Sequence, residues 1–253
     1  MKILIDTNIY FDFYRSTNEG LNLLTEILEK SEHIILTDQI IQEFERGREK
    51  VIRDVQKNFD KESQLENFSS SFLQDYPGFK ELIAIQNEYK TKRNEITAYI
   101  REILVDPSKD KVATAFKQLT DEAVKNDRLL YTTDEIIAKA QKRKLIGNPP
   151  SSDKYSIGDE INWEIILSNL KEDIILVGRD NTYNDNFSFL RKDFHRGTGR
   201  LIYSKTTKIT DAFEQIGVHL SKALVDAEEE LIKTIKDSGF AEYWKRKDKS
   251  EGE

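Results

Sequence analysis

Apolar and polar positions follow two different rhythms along this chain. Short continuous apolar runs stop abruptly at polar residues in Ile3-Leu4-Ile5, His33-Ile34-Ile35-Leu36 and Ile174-Ile175-Leu176-Val177. Runs of that length suit strands buried on both faces. Leu201-Ile202-Tyr203 predicts a last strand. Between these runs the apolar residues recur at helical spacing. The aromatic cluster Tyr10, Phe11, Phe13 and Tyr14 opens a helical stretch that Leu21, Leu24 and Leu28 continue. Thr37-Asp38 is an N-cap signal for a helix marked by Ile40, Ile41, Phe44, Val51 and Val55. Leu129 to Lys144 predicts another helix, capped near Thr132-Thr133, and Gly158-Asp159 starts one carrying Ile161, Ile165, Ile166 and Leu170. Strand alternating with helix predicts an α/β fold with a central parallel sheet.

From about residue 56 to 128 the pattern changes to charged, helix-periodic sequence with no strand. Ile96, Tyr99, Ile100 and Ile103 share one helix face, while Tyr76-Pro77-Gly78 and Asp106-Pro107-Ser108 are turn signals. These breaks argue against a sustained coiled coil. They predict a helical insertion within a single domain spanning 1–245, and not a second independent domain. Asn148-Pro149-Pro150-Ser151-Ser152 must be a loop, because neither proline fits a helix interior. The chain is expected to end in a long amphipathic helix reaching about Trp244, then a charged, disordered tail over 246–253. There is no internal repeat.

Composition narrows the chemistry. The absence of cysteine excludes disulfides, thiolate metal sites and thiol nucleophiles. No apolar run approaches the ~18 residues of a membrane span, and the first run ends too early for a signal peptide core. A cytoplasmic protein is the expectation. The formal charge of −7, from 39 basic and 46 acidic residues, disfavours non-specific binding of polyanions by the whole surface. Basic residues are nevertheless concentrated in 139–154 and 191–208. Such runs form either a solvated face or a footprint on a phosphate backbone. Candidate phosphate contacts are Arg143, Lys144, Lys154 and Arg196, with Arg179 beside Asp180.

Four acids stand out by topology. Asp6 and Asp180 each follow an apolar run, so a parallel sheet would project both from one edge, where open α/β sheets bind ligands. Asp159 lies at a helix start, where the helix dipole favours its ionised form. Glu43 lies in the helix after the second strand, which begins at that same edge. Converging carboxylates repel unless a cation neutralises them. Oxygen-only ligands suit Mg²⁺ or Mn²⁺, and such a site offers phosphodiester hydrolysis through a metal-activated water. Each acid also has a plainer reading. Asp6 and Asp180 could be turn residues, Glu43 a solvated helix residue, and Asp159 a simple cap. Arg143 could be a surface arginine, and His195 a backbone contact. An aspartyl-phosphate enzyme also uses strand-end acids with Mg²⁺, but the lysine and nucleophile motif it requires are not found.

The ordered set Ile5-Asp6-Thr7-Asn8, Glu43, Gly158-Asp159 and Val177-Gly178-Arg179-Asp180 resembles the acidic signature of PIN-domain nucleases. Arg143 to Pro150, followed by Ile157-Gly158-Asp159-Glu160-Ile161-Asn162-Trp163-Glu164, is similar to a bacterial PIN-like subgroup with a large helical insertion. The resemblance implies a three-layer α/β/α fold. It makes Asp6, Glu43, Asp159 and Asp180 the catalytic metal ligands, with Thr7, Asn8 and Thr182 beside them to orient the acids. Many PIN domains carry another aspartate where this chain has Thr182, which bears on whether two metals are held. The resemblance further implies a nuclease in a toxin or phage-defence role, and the four-acid order with the basic segments beside Asp159 and Asp180 favours RNA over DNA as its substrate. A protein partner such as an antitoxin, or self-association, would be in keeping with it. The alternative is a non-catalytic scaffold that binds nucleic acid or a partner protein.

Overall fold

In a computed structural model the described residues are 1–16, 18–63, 71–150, 156–179, 183 and 185–237. Three strands fall on the apolar runs: β1 (Lys2–Ile5), β2 (Ile34–Thr37) and β4 (Ile174–Val177). β5 (Ile202–Thr206) extends the expected last strand by three residues. A fifth strand, β3 (Leu129–Leu130), lies where a helix was expected to start. That helix, α6 (Asp134–Leu145), begins four residues later, with Thr133 Oγ1 accepting from the backbone N–H of Ile136 at 3.3 Å.

All pairings are parallel, in the order β3-β2-β1-β4-β5. β1 sits at the centre, with Ile3 opposite Ile34 on one side and Ile175 on the other. From β1 the chain moves outward through α2 (Asn18–Glu29) to β2, and later to β3. It then crosses back to β4 and moves outward the other way to β5. Parallel crossovers are right-handed, so connections running in opposite directions cover opposite faces. Accordingly α2 packs on α10 (Lys222–Asp237), while α7 (Gly158–Asn169) packs on α6 and on α8 (Phe187–Thr198). The result is a three-layer α/β/α fold. Its core holds the fully buried Ile3, Ile5, Ile34, Leu36, Trp163 and Phe213.

The expected long terminal helix is in two pieces, α9 (Ile209–Gln215) and α10. Gly217, with φ of 82°, turns the chain between them, a conformation that glycine adopts without the steric cost other residues meet. The expected end near Trp244 and the tail over 246–253 lie outside the described residues.

The chain divides into two compact units, one of 1–47 with 115–253 and the other Arg48–Thr114. The second is shorter than the span of 56–128 expected for the insertion, and both boundaries cut helices, α3 (Asp38–Glu62) and α5 (Lys111–Lys125). Within it, α4 (Pro77–Val105) runs unbroken for 29 residues, with proline at its first position. Arg48 Nε donates to Asp110 Oδ2 at 2.7 Å, and Arg93 reaches Asp60 Oδ1 at 3.2 Å and Ser63 Oγ at 2.8 Å.

Candidate metal and nucleic-acid site

β1 and β4 are neighbours whose following connections leave in opposite directions, which makes their carboxyl ends the topological switch point of the sheet. Ligands of open α/β sheets bind in the crevice at that point. A cleft is found there, lined by Leu4, Asp6, Ile40, Asn162, Val177 and Gly178 among others.

Asp6 terminates β1. Its N–H still donates to the Val177 carbonyl at 2.9 Å, and its extended φ/ψ of −64°/146° places it at the N-cap of α1 (Thr7–Asp12). The carboxylate does not cap that helix. Instead Oδ2 accepts from Asn8 Nδ2 at 3.2 Å, which fixes the side chain at the cleft. Tyr10 is fully buried nearby. Burial pushes its hydroxyl to a raised pKa, and the negative charge of Asp6 adds to this.

Thr7 connects Asp6 to the next acid. Its buried hydroxyl donates to Glu43 Oε2 at 2.9 Å. Glu43 lies in the second turn of α3, and its Oε1 accepts from Gln39 Nε2 at 2.8 Å, one turn earlier on the same face. The carboxylate also lies against Gly158, the first residue of α7. A Cβ at 158 would sit 2.3 Å from Glu43 Oε1 and 2.8 Å from Gln39 Nε2. Asp159 follows in the first turn of α7. Three elements carrying Asp6, Glu43 and Asp159 therefore meet through the Thr7–Glu43–Gly158 contact. Asp180, Thr182 and Lys154 lie outside the described residues, the first directly after Arg179.

Gln39 and Asn162 had not been singled out in the sequence. Asn162 Oδ1 accepts from Thr37 Oγ1, and Thr37 Oγ1 accepts from the Ile40 N–H at 3.0 Å, so the cap of α3 is tied to α7. Both residues lie three or four positions from a candidate acid on the same helix, and that spacing is the signal by which they could have been found.

The donor chemistry suits a hard cation. An ionised carboxylate offers about four lone-pair directions, and in Asp6 and Glu43 these oxygens already accept from the oriented donors Asn8, Thr7 and Gln39. Mg²⁺ is commonly held by one or two carboxylates with retained water. Among the described residues, however, no three acidic or imidazole groups are placed to hold a metal ion together.

The basic residues divide by burial. Arg143 was a candidate for the nucleic-acid surface, but the structure places it in the interior. Its guanidinium contacts Glu164 Oε1 at 2.7 Å and Asp193 Oδ2 at 2.9 Å, and donates to the Pro149 carbonyl at 2.7 Å. Arg179, another candidate, is also buried. It pairs with Asp12 and with Glu228 Oε1 at 3.1 Å, and donates to the Thr207 carbonyl at 3.1 Å. Desolvating an arginine is tolerated only when it is paired in this way, and neither is open to a phosphate. Lys144 is half-buried against Glu160 at 3.3 Å, and Arg196 is exposed, bridging to Asp193 Oδ1 at 3.1 Å. Asp193 also accepts from Trp163 Nε1 at 3.0 Å. Burial alone would raise its pKa, but the Trp163 and arginine contacts outweigh this and hold it below the ordinary range. His195 Nδ1 lies 3.3 Å from the Arg200 carbonyl, a backbone contact.

The fold is a three-layer α/β/α sandwich on a parallel sheet, with Asp6 at the switch point and Glu43 tied to it through Thr7. A family model described as PIN domain matches residues 3–183, and the chain belongs to the PIN domain family. Neither the curated proteins nor the solved structures contain a match to it. No described helix is long and apolar enough to cross a membrane.

Proposed function

We propose that this chain is a Mg²⁺- or Mn²⁺-dependent nuclease that hydrolyses phosphodiester bonds, with RNA as the preferred substrate. The observation that carries the reading is the Glu43 carboxylate held between Thr7, next to Asp6, and Gly158, next to Asp159. Asp6, Glu43 and Asp159 would hold the cation at the switch point, with Asp180 as the fourth acid. When bound, the cation would lower the pKa of a water and so supply the hydroxide that attacks phosphorus. Asn8 orients Asp6, and Thr7 and Gln39 orient Glu43, so the oxygens are arranged before substrate arrives. Exposed Arg196, with Lys144 at its partly open position, supplies cationic charge for the nucleic-acid backbone. A toxin or phage-defence role, with an antitoxin or similar protein partner, fits a nuclease that must be restrained.

The test is cleavage of labelled single-stranded RNA with and without Mn²⁺. Wild type should cut only with metal, and Asp6→Asn should reduce cutting by at least ~100-fold, the scale on which electrostatic groups at reacting centres act. Full activity in Asp6→Asn would remove that residue from the site.

A second reading, a non-catalytic scaffold, is favoured by one observation: the described residues contain no three-acid cluster placed for a metal. Cleavage of no nucleic acid under any metal would establish that reading in place of the first.

A further inference from the structure

Helix α4 has no buried residue along its 29 positions. Its less exposed row, from Phe79 through Ile83, Arg93 and Ile100 to Leu104, is half-buried, and Arg93 within that row bonds to Asp60 and Ser63 of the same unit. A second stripe runs beside it. Leu82, Ile85, Tyr89, Ile96, Tyr99 and Ile103 follow one another at steps of three and four once Lys92 is counted in its place. In heptad terms Leu82, Tyr89, Ile96 and Ile103 occupy a, and Ile85, Lys92 and Tyr99 occupy d. This is three full heptads, enough to specify a coiled-coil seam. Most of the stripe is open: Leu82 is 49%, Ile85 63% and Tyr99 50% exposed, while Ile103 is half-buried and the Tyr89 hydroxyl donates to the Ser63 carbonyl at 3.1 Å. Isolated exposed apolar residues are ordinary, but a continuous line in one register marks an interaction face.

The flanking positions decide what can cover it. Every g position is glutamate: Glu81, Glu88, Glu95 and Glu102. A second copy paired antiparallel would set this row against itself. Paired parallel, it would meet Gln86, Arg93 and Ile100, of which Arg93 is already engaged with Asp60. Like charges along a seam reject a partner as effectively as a clash. The same carboxylates disfavour nucleic acid. Lys92, at a d position inside the seam, is drawn to Glu95 at 2.9 Å, and a charge buried there requires a polar group opposite it.

We propose that this face of α4 is a coiled-coil docking site for an amphipathic helix of a partner protein. That helix would carry apolar a and d positions, lysine or arginine along the edge that meets the glutamate row, and one acidic or amide residue opposite Lys92.

Three synthetic peptides of four heptads test it against the full-length protein by fluorescence anisotropy. The first has leucine and isoleucine at a and d, lysine at every e and g, and one glutamate in the seam. The second exchanges those lysines for glutamates. The third has the composition of the first in scrambled order. The basic heptad peptide should bind at least tenfold more tightly than either control. Ile85→Lys should weaken it at least tenfold, and Glu81→Lys with Glu88→Lys should reverse the preference between the two charged peptides. Equal binding of the scrambled and heptad peptides would overturn the proposal, as would binding indifferent to Ile85→Lys or no binding at all. Sedimentation gives a separate check: a wild-type dimer that Ile85→Lys makes monomeric would assign the face to a second copy and refute the partner helix. If the variants misfold, the comparison of peptides on wild type still decides.

Discussion

Glu43 Oε1 lies only 2.3 Å from where a Cβ at Gly158 would stand, and Gln39 Nε2 2.8 Å from it. The contact joins α3 to the start of α7. Both atoms are the far ends of flexible side chains, so Gly158→Ala should displace the Glu43 carboxylate at little cost in stability. Alanine also gains helix propensity over glycine at this position. Stability should therefore change by less than about 1 kcal/mol, read from the denaturant midpoint at an unchanged slope, while metal-dependent cleavage of RNA should fall. A loss of stability of about 1–3 kcal/mol, the scale of core overpacking, would mean that Glu43 and Gln39 cannot yield.

Arg179 is held by Asp12 and Glu228 from opposite ends of the chain, and Glu228 also accepts from the N–H groups of Ile209 and Thr210 at 2.7 and 2.9 Å. Removing the guanidinium would leave buried Glu228 without its ion-pair partner and Asp12 with Arg15 alone, at 3.0 Å. Arg179→Ala should cost about 3–5 kcal/mol, the usual penalty for breaking a buried ion pair. A urea titration showing a loss below about 1 kcal/mol, the range of surface pairs, would contradict this account.

Much of this arrangement is readable in the sequence, and the exceptions have physical causes. β1, β2 and β4 are legible because a strand buried on both faces must be apolar throughout. β3 is two half-buried residues, Leu129 and Leu130, too short for any periodicity. Asp6 and Glu43 could be placed at one edge by topology alone. The interior positions of Arg143 and Arg179 could not be placed in that way. A charged side chain is buried only if partners meet it, and those partners, such as Asp193 for Arg143 and Asp12 for Arg179, are remote in sequence. In α4 the turn signals at Pro77 and Pro107 mark the helix ends correctly. Nothing interrupts the helical spacing between them, which is why α4 runs unbroken from Pro77 to Val105.

Asp193 offers a pH-dependent test. It accepts from Trp163 and pairs with Arg143 and Arg196, and its carboxyl is held below the ordinary value of 3.8. A depressed pKa in the fold means that the unfolded chain takes up the proton more readily as pH falls. The stabilisation is therefore complete above 3.8 and is lost as pH falls from there through the lower folded value. Unfolding of wild type and Asp193→Asn compared from pH 7 to pH 3 should show a gap that narrows at the acid end. A gap that widens with acid would reverse the assigned direction.

Metal binding separates the nuclease from the scaffold without any substrate. A ligand that binds only the folded state stabilises it by about 2.7 kcal/mol at a hundredfold excess over its dissociation constant. Mn²⁺ or Mg²⁺ titrated to millimolar should therefore raise the melting temperature of wild type. In Asp6→Asn the shift should disappear, since the amide withdraws a charged ligand while keeping the size of the side chain and its place beside Asn8. Glu43→Gln should behave in the same way, with Thr7 and Gln39 still able to contact the amide. Loss of the shift in both variants would tie the cation to the switch point between β1 and β4. A shift that survives in both would place the cation elsewhere, and no shift in wild type would leave the acids as a structural cluster and favour the scaffold.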